Sequence, residues 1–412
     1  MQANHGMHLL PSALIALCCT SCLAGEPALA KDAVGDALIL AASYGCDGFQ
    51  VHVPPSYSRE RPAGILLCLH GKGGADAMRK VPARRRCEEQ NLIFLAPLMS
   101  AKDAQADPKV VEGIRVALAE LSQSHALAPG RGQVTAFSYG VTTAANLWKA
   151  AGGKRGPHFP FCAVQIESGT WAGGAAETPS PDVAFTTAVG AEEWKEGGPG
   201  ERRGTTMMQV IADRLGLAAK QAGSPDQIFL LCSGEGHKYH LAAKEAGQKQ
   251  YRRAAAFLAG VADPAGVAPA LRPAVEQANR LELAAALAAA GRLGGAEAGV
   301  LERQIRARVV EMMTALRLVA TEDALLTVWY GGRAVTSLRG LPESEEAATI
   351  VAAAGKAAAA AQRMLPEWQK NFMRQAAKGV ANGALVPQLQ AWREAAGPGT
   401  IAQTIGSILE CR

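Results

Sequence analysis

The chain has 412 residues, of which 49% are hydrophobic and 19% charged, which is typical of globular proteins and leaves room for two domains. Its formal net charge of +5 is small for this length. Its short basic clusters also lack neighbouring aromatic residues that would stack on bases. We therefore expect no nucleic-acid partner.

The N-terminal segment, residues 1–30, is predicted to be a signal peptide. Residues 9–17 are largely apolar, and Ala-Leu-Ala at 28–30 fits a cleavage site between small residues. The apolar run is too short to span a bilayer. These features favour a secreted or periplasmic protein. The alternatives are a lipid anchor at Cys22 and an apolar tail without a targeting role.

Residues 31–260 are predicted to form an α/β domain. Short apolar runs alternate there with stretches of helical periodicity such as 110–121. A continuous apolar run is typical of a strand that is buried on both faces. The alternation predicts a mostly parallel sheet with helices on both faces. The expected strands are 49–53, 65–69, 92–96, 134–137, 161–166, 183–189 and 228–232.

Residues 261–412 are predicted to form an all-α domain. The composition becomes Ala-rich after a proline-containing linker, and the apolar residues recur with helical spacing. We expect a bundle or a few helix hairpins that serve packing, self-association or a protein partner. Helices are expected at 281–293, 300–319, 344–364 and 388–394, with Ser344 as an N-cap and breaks at 331–332 and 397–399.

The cysteines indicate no metal site by spacing, since no Cys-x-x-Cys or His-x-x-x-His pattern is present. Cys68, Cys162 and Cys232 lie in apolar runs and are interpreted as small core residues. Cys46 and Cys87 lie in loop-like sequence and are candidates for a disulfide in an oxidising compartment.

A serine lies where a predicted strand passes at once into a predicted helix. The run Val-Thr-Ala-Phe-Ser-Tyr-Gly at 134–140 contains Ser138 at this turn. Such a turn lifts the hydroxyl out of the sheet, as a nucleophile requires. Ala136 and Gly140, two residues before and after, are small enough for strand and helix to pass closely. We predict that Ser138 is a nucleophile.

A glycine-rich loop, Leu-His-Gly-Lys-Gly-Gly at 69–74, follows the strand 65–69. Its glycines let backbone amides turn towards the serine, where they would stabilise an oxyanion. We assign this role to the amides of Lys72 and Tyr139. His70 is interpreted as a brace of the loop. The alternative, a phosphate-binding loop, lacks the Gly-Lys-Ser/Thr ending.

A general base is expected in a flexible loop after the last strand. Ser-Gly-Glu-Gly-His at 233–237 fits, and its glycines allow His237 to reach over the sheet edge. His237 is therefore the predicted base. His240 lies three residues on, where a helix is expected to begin.

The acid that orients the imidazole is expected after the strand that precedes the histidine. Glu193 follows Gly190 by three residues and is the predicted acid. Glu192 is its rival, and Asp226 is a third candidate.

Together these residues resemble the α/β-hydrolase superfamily. The resemblance covers about 49–260 and implies a sheet of the eight-strand type, Ser/acid/His chemistry and no cofactor. Ala136 departs from the usual first glycine of the serine turn, and Glu193 departs from the commoner Asp. The motifs similar to secreted esterases of the polyhydroxybutyrate-depolymerase and feruloyl-esterase type are Pro54-Pro55, His70-Gly71-x-Gly73-Gly74 and Gly-x-Gly-His237.

The predicted activity is hydrolysis of a small-molecule or polymeric carboxylic ester through an acyl-enzyme on Ser138. Trp171, Trp194 and Tyr239 are candidates for lining an acyl or aryl pocket, with ordinary packing as the alternative. An amide or peptide hydrolase of the same fold is one alternative function. A non-catalytic binding or scaffold protein is another.

Overall fold

The structure is a computed structural model, and it describes residues 29–39, 45–71, 83–98, 108–169, 182–194, 226–377 and 382–410. Within these residues eight strands form one sheet in the order β1-β2-β4-β3-β5-β6-β7-β8. The strands are β1 (Gly35–Ile39), β2 (Gly48–Val53), β3 (Ala63–Leu69), β4 (Leu92–Leu98), β5 (Leu127–Phe137), β6 (Ala163–Glu167), β7 (Ala184–Gly190) and β8 (Gln227–Cys232).

The sheet is mostly parallel, as predicted. Strand β2 is antiparallel to both β1 and β4, and every other neighbouring pair is parallel. The carboxyl ends of β3 to β8 therefore meet at one edge of the sheet, where α/β proteins place their sites. We call this the carboxyl edge. Strand β1 was not predicted, and its middle residues are exposed rather than buried on both faces.

Eleven helices are found among the described residues, and the first four accompany the sheet. Helices α2 and α3 cover one face, while α1 and α4 cover the other. The helices are α1 (Ala83–Gln90), α2 (Pro108–Ser124), α3 (Gly140–Ala150), α4 (Leu241–Leu258), α5 (Arg272–Asn279), α6 (Leu283–Leu293), α7 (Gly295–Glu322), α8 (Ala324–Ser337), α9 (Glu343–Ala377), α10 (Asn382–Ala396) and α11 (Thr400–Glu410).

The helical part, α5 to α11, shares a hydrophobic core with one face of the sheet. This core joins Phe94 of β4 and Phe257 of α4 to Met312 of α7 and Tyr330 of α8. The rings of Phe257 and Tyr330 stack with centroids 4.7 Å apart. The predicted fold class, a mostly parallel sheet with helices on both faces followed by an all-α region, is confirmed.

Asp226 links the sheet to the helical part and is fully buried. Its carboxylate accepts hydrogen bonds from Arg253 Nε at 3.0 Å and Gln250 Nε2 at 2.9 Å, both on α4. It also accepts from the hydroxyl of Tyr330 on α8 at 2.6 Å. A buried charge is tolerated when it is paired and hydrogen-bonded in this way.

Strand β8 is the last strand of the sheet, and α11 covers its outer side. The amide of Phe229 donates to Thr404 Oγ1 at 3.2 Å, and the amide of Leu231 donates to Ser407 Oγ at 3.2 Å. Two hydroxyl groups of α11 thus accept hydrogen bonds from amides at the edge of the sheet. An uncovered edge strand could pair with another chain.

Two of the predicted helix boundaries were wrong. Residues 331–332 lie inside α8 and do not interrupt it. Gly331 allows α9 to pack closely, since a Cβ at this position would lie 2.3 Å from Val351 Cγ2. Ser344 lies in the first turn of α9, since that helix already begins at Glu343. The predicted break at 397–399 does separate α10 from α11.

The suggested disulfide between Cys46 and Cys87 was also wrong. Both cysteines are buried and free. They belong to the cores on opposite faces of the sheet, so their sulfurs have no route to each other.

Two further features concern membranes and export. No helix among the described residues is both long and apolar enough to cross a bilayer. Of the predicted signal peptide, residues 1–28 lie outside the described part of the chain.

Candidate active site

Ser138 occupies a sharp turn between β5 and α3 at the carboxyl edge. Its φ is +52°, a conformation that costs energy for a residue with a side chain and is concentrated at functional sites. The turn brings α3 against β3 so closely that a Cβ on Gly140 would lie 2.1 Å from the carbonyl oxygen of Leu69. Ala136 is completely buried beneath the turn. The backbone therefore presents the hydroxyl of Ser138 outwards.

The structure brings Ser138, His237 and Glu193 together. His237 Nε2 lies 3.0 Å from Ser138 Oγ, and His237 Nδ1 lies 2.9 Å from Glu193 Oε2. An ionised carboxylate can only accept, so Nδ1 carries the proton and Nε2 is left to accept from the serine hydroxyl. This is the tautomer that a histidine needs in order to act as a general base.

Glu193 lies on the short 3₁₀ turn Ala191–Trp194 that follows β7, and its side chain is 3% exposed. Burial by itself raises the pKa of this carboxyl. Hydrogen bonds from His237, Ser168 and the amide of Gly190, together with the imidazole of His240 at 3.8 Å, outweigh that effect and hold the pKa of Glu193 well below its ordinary value. The group is therefore ionised at neutral pH.

Neither rival acid occupies this position. The backbone amide of Glu192 donates to the carbonyl of Glu235 at 2.9 Å, while it is Glu193 whose carboxylate contacts the imidazole. Asp226 precedes β8 and is held by Arg253, away from His237. A Cβ on Gly190 would lie 2.3 Å from the carbonyl oxygen of Glu235, so glycine is required where the histidine loop crosses β7.

A second layer of polar groups lies behind Glu193. Ser168 Oγ donates to Glu193 Oε1 and lies 3.2 Å from His240 Nε2. On its other side, His240 Nδ1 is hydrogen-bonded to Glu235. Sequence reasoning assigned no role to Ser168 or Glu235 and did not select His240. The available signal was that residues 168–169 directly follow β6 at the carboxyl edge.

His240 occupies the N-cap position of α4 without a capping hydrogen bond from its side chain, and it is 1% exposed. Burial alone lowers its pKa. Hydrogen bonds with Cys232, Glu193 and Glu235 outweigh burial and raise the pKa of His240 to about 10. It is therefore an imidazolium at neutral pH, enclosed by carboxylates.

Tyr139 directly follows the serine, and its side chain is 45% exposed. Its amide belongs to the N-terminal turn of α3, where N–H groups have no intrahelical partner and the helix dipole favours negative charge. The other predicted oxyanion residue, Lys72, lies outside the described residues. His70 is buried, and its ring nitrogens lie 3.1 Å from the carbonyl oxygen of Pro97 and 2.9 Å from that of Gly71, as expected of a brace.

Aromatic rings flank the imidazole of His237. Its centroid lies 5.0 Å from that of Phe137, and Phe137 stacks on Tyr239 at 4.4 Å. Tyr239 thus packs beneath the site. Trp171 lies outside the described residues, and so does the side chain of Trp194, so their predicted places in a pocket stay predictions.

Among the described residues, one group has the donor atoms for a metal ion within 4.8 Å of one another, namely Cys232, Glu235 and His240. A metal ligand must be deprotonated. In the structure His240 Nδ1 is hydrogen-bonded to Glu235, so two of these three side chains are paired with each other.

The sequence matches no protein-family model, and it matches no curated protein. Several solved structures are similar to part of the chain. A poly(3-hydroxybutyrate) depolymerase from Bordetella parapertussis has 14% identity and a TM-score of 0.36, covering 54% of this chain and 90% of its own. An acetyl xylan esterase from Aspergillus awamori has 12% identity and a TM-score of 0.34, covering 48% and 92%.

An S-formylglutathione hydrolase from Staphylococcus aureus has 14% identity and a TM-score of 0.37, covering 54% of this chain and 98% of its own. The fold itself follows from the structure described above. The sheet order, the strand–serine–helix turn and the chain order of serine, acid and histidine are those of an α/β-hydrolase. The chain therefore has an α/β-hydrolase fold.

Proposed function

We propose that the protein is a serine hydrolase that cleaves carboxylic esters. The observation that carries this proposal is the continuous line of hydrogen bonds from Ser138 through His237 to Glu193, at 3.0 and 2.9 Å. His237 and Tyr139 are exposed, so a substrate can reach the serine from solvent. The accelerating groups are a nucleophile, an oriented base and an oxyanion site at a helix N-terminus.

In the first step His237 Nε2 removes the proton of Ser138, and Oγ attacks the ester carbonyl carbon. The negative oxygen of the tetrahedral intermediate accepts a hydrogen bond from the amide of Tyr139, and the amide of Lys72 stays the predicted second donor. The imidazolium is stabilised by ionised Glu193. It then protonates the departing alcohol as the carbon–oxygen bond breaks.

The second step removes the acyl group. His237 takes a proton from water, the water oxygen attacks the acyl carbon, and Ser138 Oγ leaves and recovers its proton. Every proton is passed by the same imidazole, so no cofactor is required by this scheme. The natural substrate is proposed to be a small-molecule or polymeric ester. Substrate panels would identify its acyl and alcohol groups.

The decisive experiment is labelling with a fluorophosphonate probe, followed by turnover assays. We expect the wild-type protein to be labelled and Ser138→Ala not to be labelled, with unchanged thermal unfolding. Folded wild-type protein that resists labelling would favour the non-catalytic scaffold. A panel of p-nitrophenyl esters assayed beside peptide amides separates ester hydrolysis from the alternative amide or peptide hydrolysis.

We also propose export through residues 1–30. Leu29 is 2% exposed and packs in the core between the sheet and α2 and α3, so cleavage after Ala30 would remove a core side chain. Mass spectrometry of the N-terminus of the secreted protein tests both export and the cleavage position.

Self-association or a protein partner for the helical part stays a prediction.

A further inference from the structure

Four polar side chains form an unbroken line behind the base. Glu193 Oε1 accepts from Ser168 Oγ, which lies 3.2 Å from His240 Nε2, and His240 Nδ1 contacts Glu235. The first three side chains are buried, and Glu235 is half-buried. The catalytic scheme uses only Glu193 of these four.

The direction of each hydrogen bond depends on the protonation of His240. A serine hydroxyl has one proton to donate. When His240 is an imidazolium, Nε2 donates to Ser168 Oγ, and the proton of Ser168 is available for Glu193. When His240 is neutral with its proton towards Glu235, Nε2 becomes an acceptor and competes with Glu193 for the proton of Ser168.

The backbone holds both residues firmly in this arrangement. Ser168 has a φ of +48°, and its amide donates to the carbonyl of Ala188 at 2.9 Å. The amide of His240 donates to the carboxylate of Glu167 at 2.6 Å at the start of α4. Strained backbone conformations are concentrated at functional sites, and Ser168 is such a residue in contact with Glu193.

We propose that His240, held as an imidazolium by Glu235, is a positioning residue that directs the hydroxyl of Ser168 towards Glu193. Glu193 then receives three hydrogen bonds, from His237, Ser168 and the amide of Gly190, and keeps one orientation beneath the base. This inference rests on the proposed hydrolase function. His240 thus influences the rate of the reaction without contacting Ser138.

The charges around His240 agree with this role. The titratable groups that face it from β6, the turn after β7, the end of β8 and the histidine loop are Glu167, Glu193, Cys232 and Glu235. On the histidine loop, the ammonium group of Lys238 lies 3.6 Å from the carboxylate of Glu235. Burial lowers the pKa of His240, while its contacts with Cys232, Glu193 and Glu235 outweigh burial and raise that pKa to about 10.

The test measures kcat, KM and their pH dependence for p-nitrophenyl acetate. Ser168→Ala is expected to lower kcat about tenfold with little change in KM, the rate equivalent of one hydrogen bond to a charged group. Removal of the charge in Glu235→Gln is expected to shift the alkaline loss of kcat about one to three pH units towards neutral. In the double variant Ser168→Ala/Glu235→Gln, the shift in the alkaline loss of kcat disappears, because no hydroxyl remains at position 168 to be redirected.

The outcomes separate the two proposals. Wild-type protein without labelling or turnover contradicts the hydrolase itself. Active wild-type protein in which Glu235→Gln keeps the wild-type pH profile, or shows the same shift with and without Ser168, contradicts only the role of His240. The exposed histidine variant His158→Asn is the matched control and should leave the profile unchanged.

A measurement that needs none of these substitutions is ¹⁵N NMR of the imidazoles in Ser138→Ala protein. The proposal expects both ring nitrogens of His240 to be protonated at pH 7 and one proton to be lost only at alkaline pH. A neutral His240 at pH 7 overturns it.

Discussion

Glu193 and Asp226 are both buried carboxylates with several hydrogen-bond donors, yet they lie at opposite edges of the sheet. Glu193 follows the carboxyl end of β7, and Asp226 precedes the amino end of β8, which runs parallel to β7. Asp226 is enclosed by Arg253, Gln250 and Tyr330. Glu193 contacts His237, which is exposed.

The difference shows that burial and strong partners do not by themselves identify a catalytic acid. A closed network such as that of Asp226 fixes elements to one another and leaves no atom for a substrate. The network of Glu193 ends in an imidazole whose second nitrogen faces the serine hydroxyl. What distinguishes the two sites is the exposed end of the chain of hydrogen bonds.

The largest expected effect is on catalysis. Glu193→Gln should lower kcat/KM about 10⁴-fold, because an amide can donate to Nδ1 and favours the wrong tautomer of His237. Its midpoint of thermal unfolding should change much less than its rate. Steady-state kinetics beside a thermal melt would show both.

The neighbouring variant Glu192→Gln is the control and should lower kcat/KM far less, because it is the carboxylate of Glu193 that contacts the imidazole. If Glu192→Gln were the damaging change, the assignment of Glu193 as the acid would be wrong.

The next effect concerns stability. Asp226→Asn should lower the free energy of unfolding by about 3–5 kcal/mol, because it leaves the buried guanidinium of Arg253 without its charge partner. The folded fraction should still be labelled by the fluorophosphonate probe. Urea unfolding with labelling at each concentration would test this, and Tyr330→Phe, which removes a single hydroxyl from the same carboxylate, should be milder.

A smaller effect is expected at the edge covered by α11. Ser407→Ala should cost about 1–3 kcal/mol, since the amide of Leu231 would lose its acceptor while it stays part-buried. Thr404→Val, which keeps the shape of the side chain, should act similarly on Phe229. Chemical unfolding gives the cost, and light scattering reports whether the opened edge promotes association. Unchanged unfolding in both variants would contradict the role of the two hydroxyl groups.

The last prediction is a dependence of stability on pH. The pKa of His240 is raised to about 10 in the folded protein, above its ordinary value of 6.5. Its contribution is therefore fully present below about pH 6.5 and is lost as the pH rises towards 10, by less than about 1.4 kcal/mol per pH unit. The difference in unfolding free energy between wild type and His240→Asn should shrink over that window. A constant difference would show that His240 is neutral when folded.

Much of the site followed from the sequence because parallel strands gather their carboxyl ends. Knowing that Ser138, Glu193 and His237 each follow a predicted strand was enough to expect them near one another, although their catalytic roles stay predictions. The contacts of Ser168 with His240 depend on a strained φ and on side-chain directions, which apolar periodicity does not encode.

The remaining errors have a similar cause. Gly331 was taken as a break because glycine weakens an isolated helix, but the close approach of Val351 makes it necessary there. The pairing of α11 with β8 joins residues 175 positions apart, a distance at which no local pattern gives a signal.

That separation has a consequence for biosynthesis. A ribosome that adds about 5–20 residues per second needs roughly 9–35 s to pass from Phe229 to Thr404, which lie 175 positions apart. During that interval all eight strands have been synthesised, but the amides of β8 lack α11, which has not yet been made. A chaperone that shields this strand during translation would prevent its pairing with other chains. The yield of folded protein should depend on how soon the last helices are synthesised.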